Sequence, residues 1–245
     1  MKDKSVAIVL AAGSGSRMKS NTPKQYMSLG GKPIIYYSLK AFEVSSIDEI
    51  ILVVNENEIE YNKEQIVKQY NFTKVTKVVS GGAERYLSVF NGLKAIDQSD
   101  YVLIHDGARP FMSSELVEKV LLSVKEHKAC VVGMPSKDTI KISDDNNIIS
   151  NTPDRKYTWV VQTPQAFSYL LIMKAYNKII DDIRSQGDKG NEINITDDAM
   201  VVEYSINHPI KIIQGSYSNI KVTTPEDMLI GNAFLEYIPM ENDKV

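Results

Sequence analysis

The feature that most constrains this chain is an apolar run that ends in small residues and is followed by cations. Val6 to Leu10 is apolar and partly β-branched, and it stops abruptly at Ala11-Ala12-Gly13-Ser14-Gly15. Such a run reads as a buried strand, and the small residues after it let a backbone loop press close to a ligand. Arg17 and Lys24 follow at short range. Loop amides together with two cations make a positive cradle of the kind polyphosphates need. The expectation is a nucleoside triphosphate site at the first strand–loop junction. No Gly-Lys-Ser/Thr follows the glycines, so this is not a Walker loop. No GxGxxG turn is present to support a dinucleotide-dependent oxidoreductase.

The same order recurs downstream. Ile34 to Glu43 reads as an amphipathic helix with Ile35, Leu39 and Phe42 at helical spacing. Residues 49–54 read as a second strand, 57–70 as a polar helix carrying Ile59, Ile66 and Tyr70, and 74–79 as a third strand. That strand ends in Ser80-Gly81-Gly82-Ala83-Glu84-Arg85, ahead of a helix reaching about Ile96. A fourth strand, Tyr101 to Ile104, runs into His105-Asp106-Gly107-Ala108-Arg109. An acid at a strand's carboxyl end is a place for a metal-facing carboxylate. Ser113 or Ser114 caps a helix to about His127, and Ala129 to Met134 is a fifth strand. Strands alternating with helices imply a mostly parallel sheet, with ligands at the carboxyl ends of its strands.

The pattern then changes. Residues 138–143 and 147–152 are short strand-like runs around Asp144-Asp145-Asn146, which reads as a hairpin with little of its own to bury. We read 137–156 as an arm leaving the main sheet, of the kind that packs on a second subunit. Trp159 to Gln162 returns as a strand, and Thr163-Pro164-Gln165 reads as a turn. Residues 168–186 make an amphipathic helix, 187–194 a polar loop, and Thr196 an N-cap for the next helix. Ile210 to Ile213 and Ser218 to Val222 read as strands, and Thr224-Pro225-Glu226-Asp227 opens the last helix. Lys221 therefore sits just before a helix N-terminus, at another natural anion site.

Composition narrows the classes. A chain of 245 residues at 43 % hydrophobic can bury a sizeable core. Its net charge of −3 argues against nucleic acid or anionic membrane as a partner. Its one cysteine, Cys130, lies in an apolar run and reads as core, and its three histidines are scattered and suggest no zinc site. His105 reads as a packed residue rather than a base. No signal peptide opens the chain, and no apolar run approaches the ~20 residues a membrane helix needs, so a cytoplasmic protein is expected.

LAAGSGSRM with TPKQY at 22–26 resembles the signature of the sugar and polyol phosphate nucleotidyltransferases. GGAER with Ser88, HDGARPF, Asp138-Thr139, Asp154-Arg155, QTPQ at 162–165, TDDA at 196–199 and NIKV at 219–222 extend the likeness over nearly the whole chain. Together they resemble the 2-C-methyl-D-erythritol 4-phosphate cytidylyltransferases of non-mevalonate isoprenoid synthesis. That resemblance implies an enzyme with one Rossmann-like α/β domain over 1–245, a protruding β-arm and a homodimer joined through the arms. It implies CTP as donor, a polyol phosphate as acceptor and Mg²⁺ as cofactor. By the same resemblance, Arg17 and Lys24 hold the triphosphate, and Lys221 meets the α-phosphate. Arg155 reaches the acceptor phosphate across the dimer, with Thr139 beside it. Asp106 faces the acceptor hydroxyls and the metal. Ala11, Ala12, Gly13, Gly82 and Ser88 form the cytidine site. Arg109 has two readings, a brace for its loop or an acceptor contact. Rival expectations are a D-ribitol 5-phosphate cytidylyltransferase and a catalytically silent nucleotide-binding regulator. Three positions depart from the family pattern: Gly107 in place of alanine, Tyr86-Leu87 in place of a polar pair, and Met200 in place of a smaller residue.

Overall fold

The chain is described here from a computed structural model, over residues 3–13, 18, 22–186 and 194–237. Its centre is a seven-stranded sheet. β1 (Ser5–Leu10) lies between β4 (Glu49–Val54) on one side and β6 (Tyr101–Asp106) on the other, parallel to both. β5 (Val75–Ser80) extends the β4 side in parallel. Beyond β6 lie β10 (Trp159–Ser168), then β7 (Ala129–Pro135), then β11 (Lys211–Gln214) at the edge. β10 runs antiparallel to both its neighbours, and β11 is parallel to β7. The expected Rossmann-like, mostly parallel α/β sheet is therefore present, with one reversed strand.

Every residue of β4 and β6 is buried, and β1 is buried up to Val9. Continuous apolar runs suit strands covered on both faces. The two-residue period then divides the side chains. Ala7, Val9, Ile50 and Leu52 face α1 (Ile34–Glu43) and α4 (Ser114–His127) through Leu39, Phe42, Val117 and Val120. Val6, Ile8, Ile51 and Val53 face α3 (Arg85–Lys94), α5 (Tyr169–Gln186) and α6 (Asp198–Ile206) through Val89, Leu93, Ile172, Tyr176 and Val201. A third apolar cluster packs α7 (Pro225–Tyr237) against Leu29, Ile34, Tyr37 and Phe111. Cys130 is fully buried in the first cluster, and burial pushes its thiol up to about 12. No helix among the described residues is long and apolar enough to cross a membrane.

Several local expectations are corrected. Thr163-Pro164-Gln165 is no turn: β10 runs through it, and its register against β7 slips between Val161 and Gln165. Proline brings no N–H to a ladder, so the strand passes it as an irregularity. Residues 57–70 are not one α-helix. A 3₁₀ turn (Glu56–Glu58) leads into one helical turn, α2 (Ile59–Tyr61), and then a π-helical stretch over Asn62–Lys68. Asp197, not Thr196, caps α6, its side chain accepting from the Met200 amide at 2.9 Å.

Ser218 to Val222 is a loop, because its polar groups are engaged without a strand neighbour. Asn219 is bound through its side chain, and the Val222 amide goes to Ala108 O. The arm is a hairpin as expected but shorter, β8 (Ile142–Ser143) pairing with β9 (Ile149–Asn151). A second short ribbon pairs β2 (Ser28–Leu29) with β3 (Lys32–Pro33).

Candidate active site

The neighbours of β1 lie on opposite sides, so its carboxyl end is a topological switch point, where open α/β sheets bind ligands. A cleft of about 540 Å³ opens there. Its walls come from four strand ends, and the backbone holds those ends together. The Ala11 amide donates to Val53 O (2.7 Å), the Gly81 amide to Val54 O (2.8 Å) and the Gly107 amide to Leu10 O (2.9 Å). Ala12 and the Gly81-Gly82 loop press so closely that a Cβ on Gly81 would overlap Ala12, and one on Gly82 would overlap Leu87. This is the close approach that the small residues suggest. Ser88 Oγ accepts from the Gly82 amide at 3.0 Å and lies 3.1 Å from Glu84 O, so it also braces the loop. Ala11, Ala12, Gly13, Gly82 and Ser88 all line the cleft.

Lys24 and Lys221 line the same cleft. Lys24 begins a 3₁₀ turn that Tyr26 fixes: its hydroxyl donates to Glu58 Oε2 (2.8 Å) and accepts from Asn62 Nδ2 (2.6 Å). Lys24 Nζ donates to Val222 O at 3.3 Å, which puts it against the residue after Lys221. The Lys221 loop is tied down through Asn219. Its Nδ2 donates to Thr163 O (2.9 Å), and its carbonyl accepts from Arg109 Nη1 (2.7 Å). Arg109 thus braces the Lys221 loop rather than its own. It also lines a smaller cavity of about 160 Å³ beside the cleft.

Asp106 ends β6 and is buried. Its Oδ2 accepts from Lys221 Nζ at 2.7 Å and its Oδ1 from Arg85 Nε at 3.2 Å. Burial would raise a carboxyl pKa, but Arg85 and then Lys221 outweigh it and hold this one well below the usual carboxylate range. Arg85 is anchored in turn by Asp198, with Nη1 and Nη2 at 3.1 and 2.9 Å from its two oxygens. Gln165 Oε1 accepts from the amides of Asp198 and Ala199, which fixes the start of α6 beside the site.

His105 is no base. Burial pulls its pKa down to about 4, so the ring is neutral at pH 7. Its Nε2 lies 3.3 Å from Arg109 O, a pure acceptor, so Nε2 carries the proton. Nδ1 then accepts from the Thr163 hydroxyl at 3.0 Å, and that hydroxyl oxygen accepts from the Asp106 amide at 3.1 Å. The ring's task is to brace the turn that carries Asp106.

Thr139 and Arg155 are not brought to the cleft of their own chain. Both lie exposed on the arm, and Arg155 Nη1 is 3.4 Å from Lys137 O. Arg17 lies outside the described residues. Of the departures from the family pattern, Tyr86 and Leu87 pack on the second apolar cluster and line neither cavity. Met200 meets Thr196 at the start of α6, its sulfur 3.6 Å from Oγ1.

Among the described residues, no group of three or more His, Cys, Asp or Glu could form a metal cage. Mg²⁺ commonly takes one or two carboxylates and completes its shell with substrate phosphates and water. Asp106 fits that limited role. Sequence reasoning assigned no site role to Arg85, Asp198, Gln165 or Asn219. Each stands inside a quoted motif, but Arg85 and Asp198 are 113 residues apart and no spacing rule joins them.

Fold and site together define a nucleotide-binding α/β enzyme with a cation-lined cleft. Known proteins narrow the class. A protein of Lachnoclostridium phytofermentans named 2-C-methyl-D-erythritol 4-phosphate cytidylyltransferase is 54% identical over 233 residues, covering 95% of this chain and 97% of its own. One of the same name from Alkaliphilus oremlandii is 46% identical over 95% of each chain. The solved structure of 4-diphosphocytidyl-2C-methyl-D-erythritol synthase from Anaerococcus prevotii superimposes with a TM-score of 0.79 at 37% identity, over 96% of this chain and 99% of that one. Residues 5–237 match the family described as 2-C-methyl-D-erythritol 4-phosphate cytidylyltransferase, and the chain belongs to it. It is a nucleotidyltransferase.

Proposed function

We propose that this chain transfers the cytidylyl group of CTP to 2-C-methyl-D-erythritol 4-phosphate and releases pyrophosphate, a step of isoprenoid synthesis. The observation that carries the mechanism is the 2.7 Å pair of Lys221 with Asp106 at the switch point, with Lys24 against the adjoining carbonyl. An oxygen of the acceptor phosphate attacks the α-phosphorus in line. A new P–O bond forms, the bond from the α-phosphorus to its bridging oxygen breaks, and pyrophosphate leaves with the electron pair. Such a reaction asks for positioning and charge neutralisation, not for a side-chain nucleophile.

Lys24, with Arg17, holds the triphosphate and stabilises the leaving group. Lys221 meets the α-phosphate from the other wall. The backbones of Ala11 to Gly13 and Gly82, with Ser88, form the cytosine slot. The smaller cavity takes the polyol, with Asp106 and Arg109 in its wall. Asp106 and the triphosphate would hold Mg²⁺, which would supply further charge neutralisation.

The enzyme works as a homodimer, each arm carrying Thr139 and Arg155 to the partner's acceptor site. Two observations support this. The arm exposes Ile140, Ile142, Ile148, Ile149 and Tyr157, an apolar surface that water does not favour. Neither Thr139 nor Arg155 lines the cleft or the smaller cavity beside it.

The test is an acceptor panel with CTP and Mg²⁺, followed by pyrophosphate release. Turnover with 2-C-methyl-D-erythritol 4-phosphate and little with D-ribitol 5-phosphate is expected. Equal or better turnover with ribitol 5-phosphate would overturn the acceptor assignment.

A further inference from the structure

The two cavities meet at one row of charges. Arg85, Asp106 and Lys221 line both, and they are the three lining residues the cavities share. With Asp198 behind them they form a row of alternating sign: Asp198, Arg85, Asp106, Lys221. The two cations in this row are held very differently. Arg85 is gripped by both oxygens of Asp198 in the two-pronged geometry suited to a guanidinium and a carboxylate. Asp198 is itself fully buried and fixed: Tyr176 Oη donates to its Oδ1 at 2.6 Å, and its amide is held by Gln165. The Lys221 side chain is 35% exposed and has a flexible stem ending in a compact charge.

A phosphate arriving at this wall can therefore draw Lys221 away from Asp106, whereas Arg85 is committed. Asp106 is 8% exposed, and a carboxylate at that depth left without a cation is strongly unfavourable. Arg85 Nε, on the other carboxylate oxygen, keeps it paired when Lys221 turns.

We propose that Arg85 is a positioning residue for the transfer: clamped by Asp198, it holds Asp106 in the wall between nucleotide and acceptor and so frees Lys221 to meet phosphate. The inference rests on the transfer reaction described above. It assigns to Arg85 and Asp198 a role distinct from binding CTP.

The full-length protein tests this with Arg85→Ala, Arg85→Lys and Asp198→Asn. Melting temperature, CTP affinity by calorimetry and pyrophosphate release are measured for each. Arg85→Ala is expected to fold, to bind CTP within a few-fold of the parent, and to lose about 10²-fold in turnover, the loss that small misplacement of reacting groups brings. Added methylguanidinium should restore part of that loss and leave the parent unaffected. Arg85→Lys should keep more activity than alanine but less than arginine, because one ammonium cannot span both carboxylates. Asp198→Asn should lower turnover although Arg85 is still present.

Turnover within about threefold of the parent in Arg85→Ala or Asp198→Asn overturns the proposal. So does a loss that methylguanidinium leaves untouched in a folded Arg85→Ala protein, or one matched by an equal loss of CTP affinity, since either marks a merely structural or nucleotide-binding residue. Should Arg85→Ala not fold, Arg85→Lys and Asp198→Asn decide on the same criteria. The parent enzyme in the same assay separates the two readings. If the parent rejects methylerythritol phosphate, the acceptor assignment falls, and Arg85 is judged with the polyol phosphate that the parent does use.

Discussion

Replacing Gly107 by alanine probes how tightly the turn after β6 is built. A Cβ there would overlap Ile35 Cδ1, lie 3.0 Å from Leu10 O and lie 3.3 Å from Val9 Cγ1. Ile35 is fully buried on α1, so its tip has little room to give, and Leu10 O is strand backbone. Overpacking of this kind costs about 1–3 kcal/mol. Alanine returns roughly 0.4–1 kcal/mol by stiffening the unfolded chain, because Gly107 does not need a positive φ. The net expectation is a loss of about 1–2 kcal/mol, or about 2–8 °C in Tm for a chain of this length. Ile35→Val removes the methyl that clashes and alone costs about 0.5–1.5 kcal/mol. In the double variant the two losses should fail to add, with a coupling of about 1 kcal/mol in favour of the pair. Urea unfolding followed by circular dichroism measures all four proteins. Additive losses, or a Gly107→Ala protein more stable than its parent, would refute the packing argument. The same geometry gives glycine a reason to stand here: the Ile35 side chain fills the space a methyl would need.

The sheet and its switch point were legible because the strands there are continuous apolar runs buried on both faces. Ala12 and Gly81-Gly82 were legible because only small residues allow such close approach. What escaped is long-range or side-chain-made. Pro164 lies inside β10 because the ladder is broken only locally, which single-residue punctuation does not reveal. Ser218 to Val222 has the composition of a strand, yet its polar groups are bound by Asn219 contacts and by Ala108. The Arg85–Asp198 clamp joins segments with no common period, so charge alone could not single it out.

Other outcomes follow from the same geometry. Lys24→Ala and Lys221→Ala should each fold normally and lower turnover by about 10²–10³-fold, the scale for losing one group that stabilises transition-state charge; steady-state pyrophosphate release checks both, and near-normal turnover removes that lysine from the mechanism. Mixing inactive Arg155→Ala with inactive Lys221→Ala subunits should restore part of the activity if sites are shared across a dimer, and no restoration after verified subunit exchange counts against the shared site. The His105 pKa falls from 6.5 unfolded to about 4 folded. The unfolded chain therefore binds the proton more readily, and stability present above pH 6.5 is lost as pH falls toward 4, by about 3 kcal/mol in all. Urea midpoints at pH 7, 5.5 and 4.5 should fall in that order, and a flat series would contradict the neutral buried ring. Cys130 should resist iodoacetamide at pH 8 in the folded protein, read by mass spectrometry, and rapid alkylation without unfolding would contradict its burial.

On this reading the cleft joins a cytidylyl group to a polyol phosphate. The most direct measurement is ³¹P NMR of the protein with CTP, Mg²⁺ and 2-C-methyl-D-erythritol 4-phosphate. CTP and the acceptor resonances should decline together while pyrophosphate and a new diphosphate diester rise in equal amounts. Unchanged CTP, or CTP broken down to CMP or CDP with the acceptor signal intact, would contradict it.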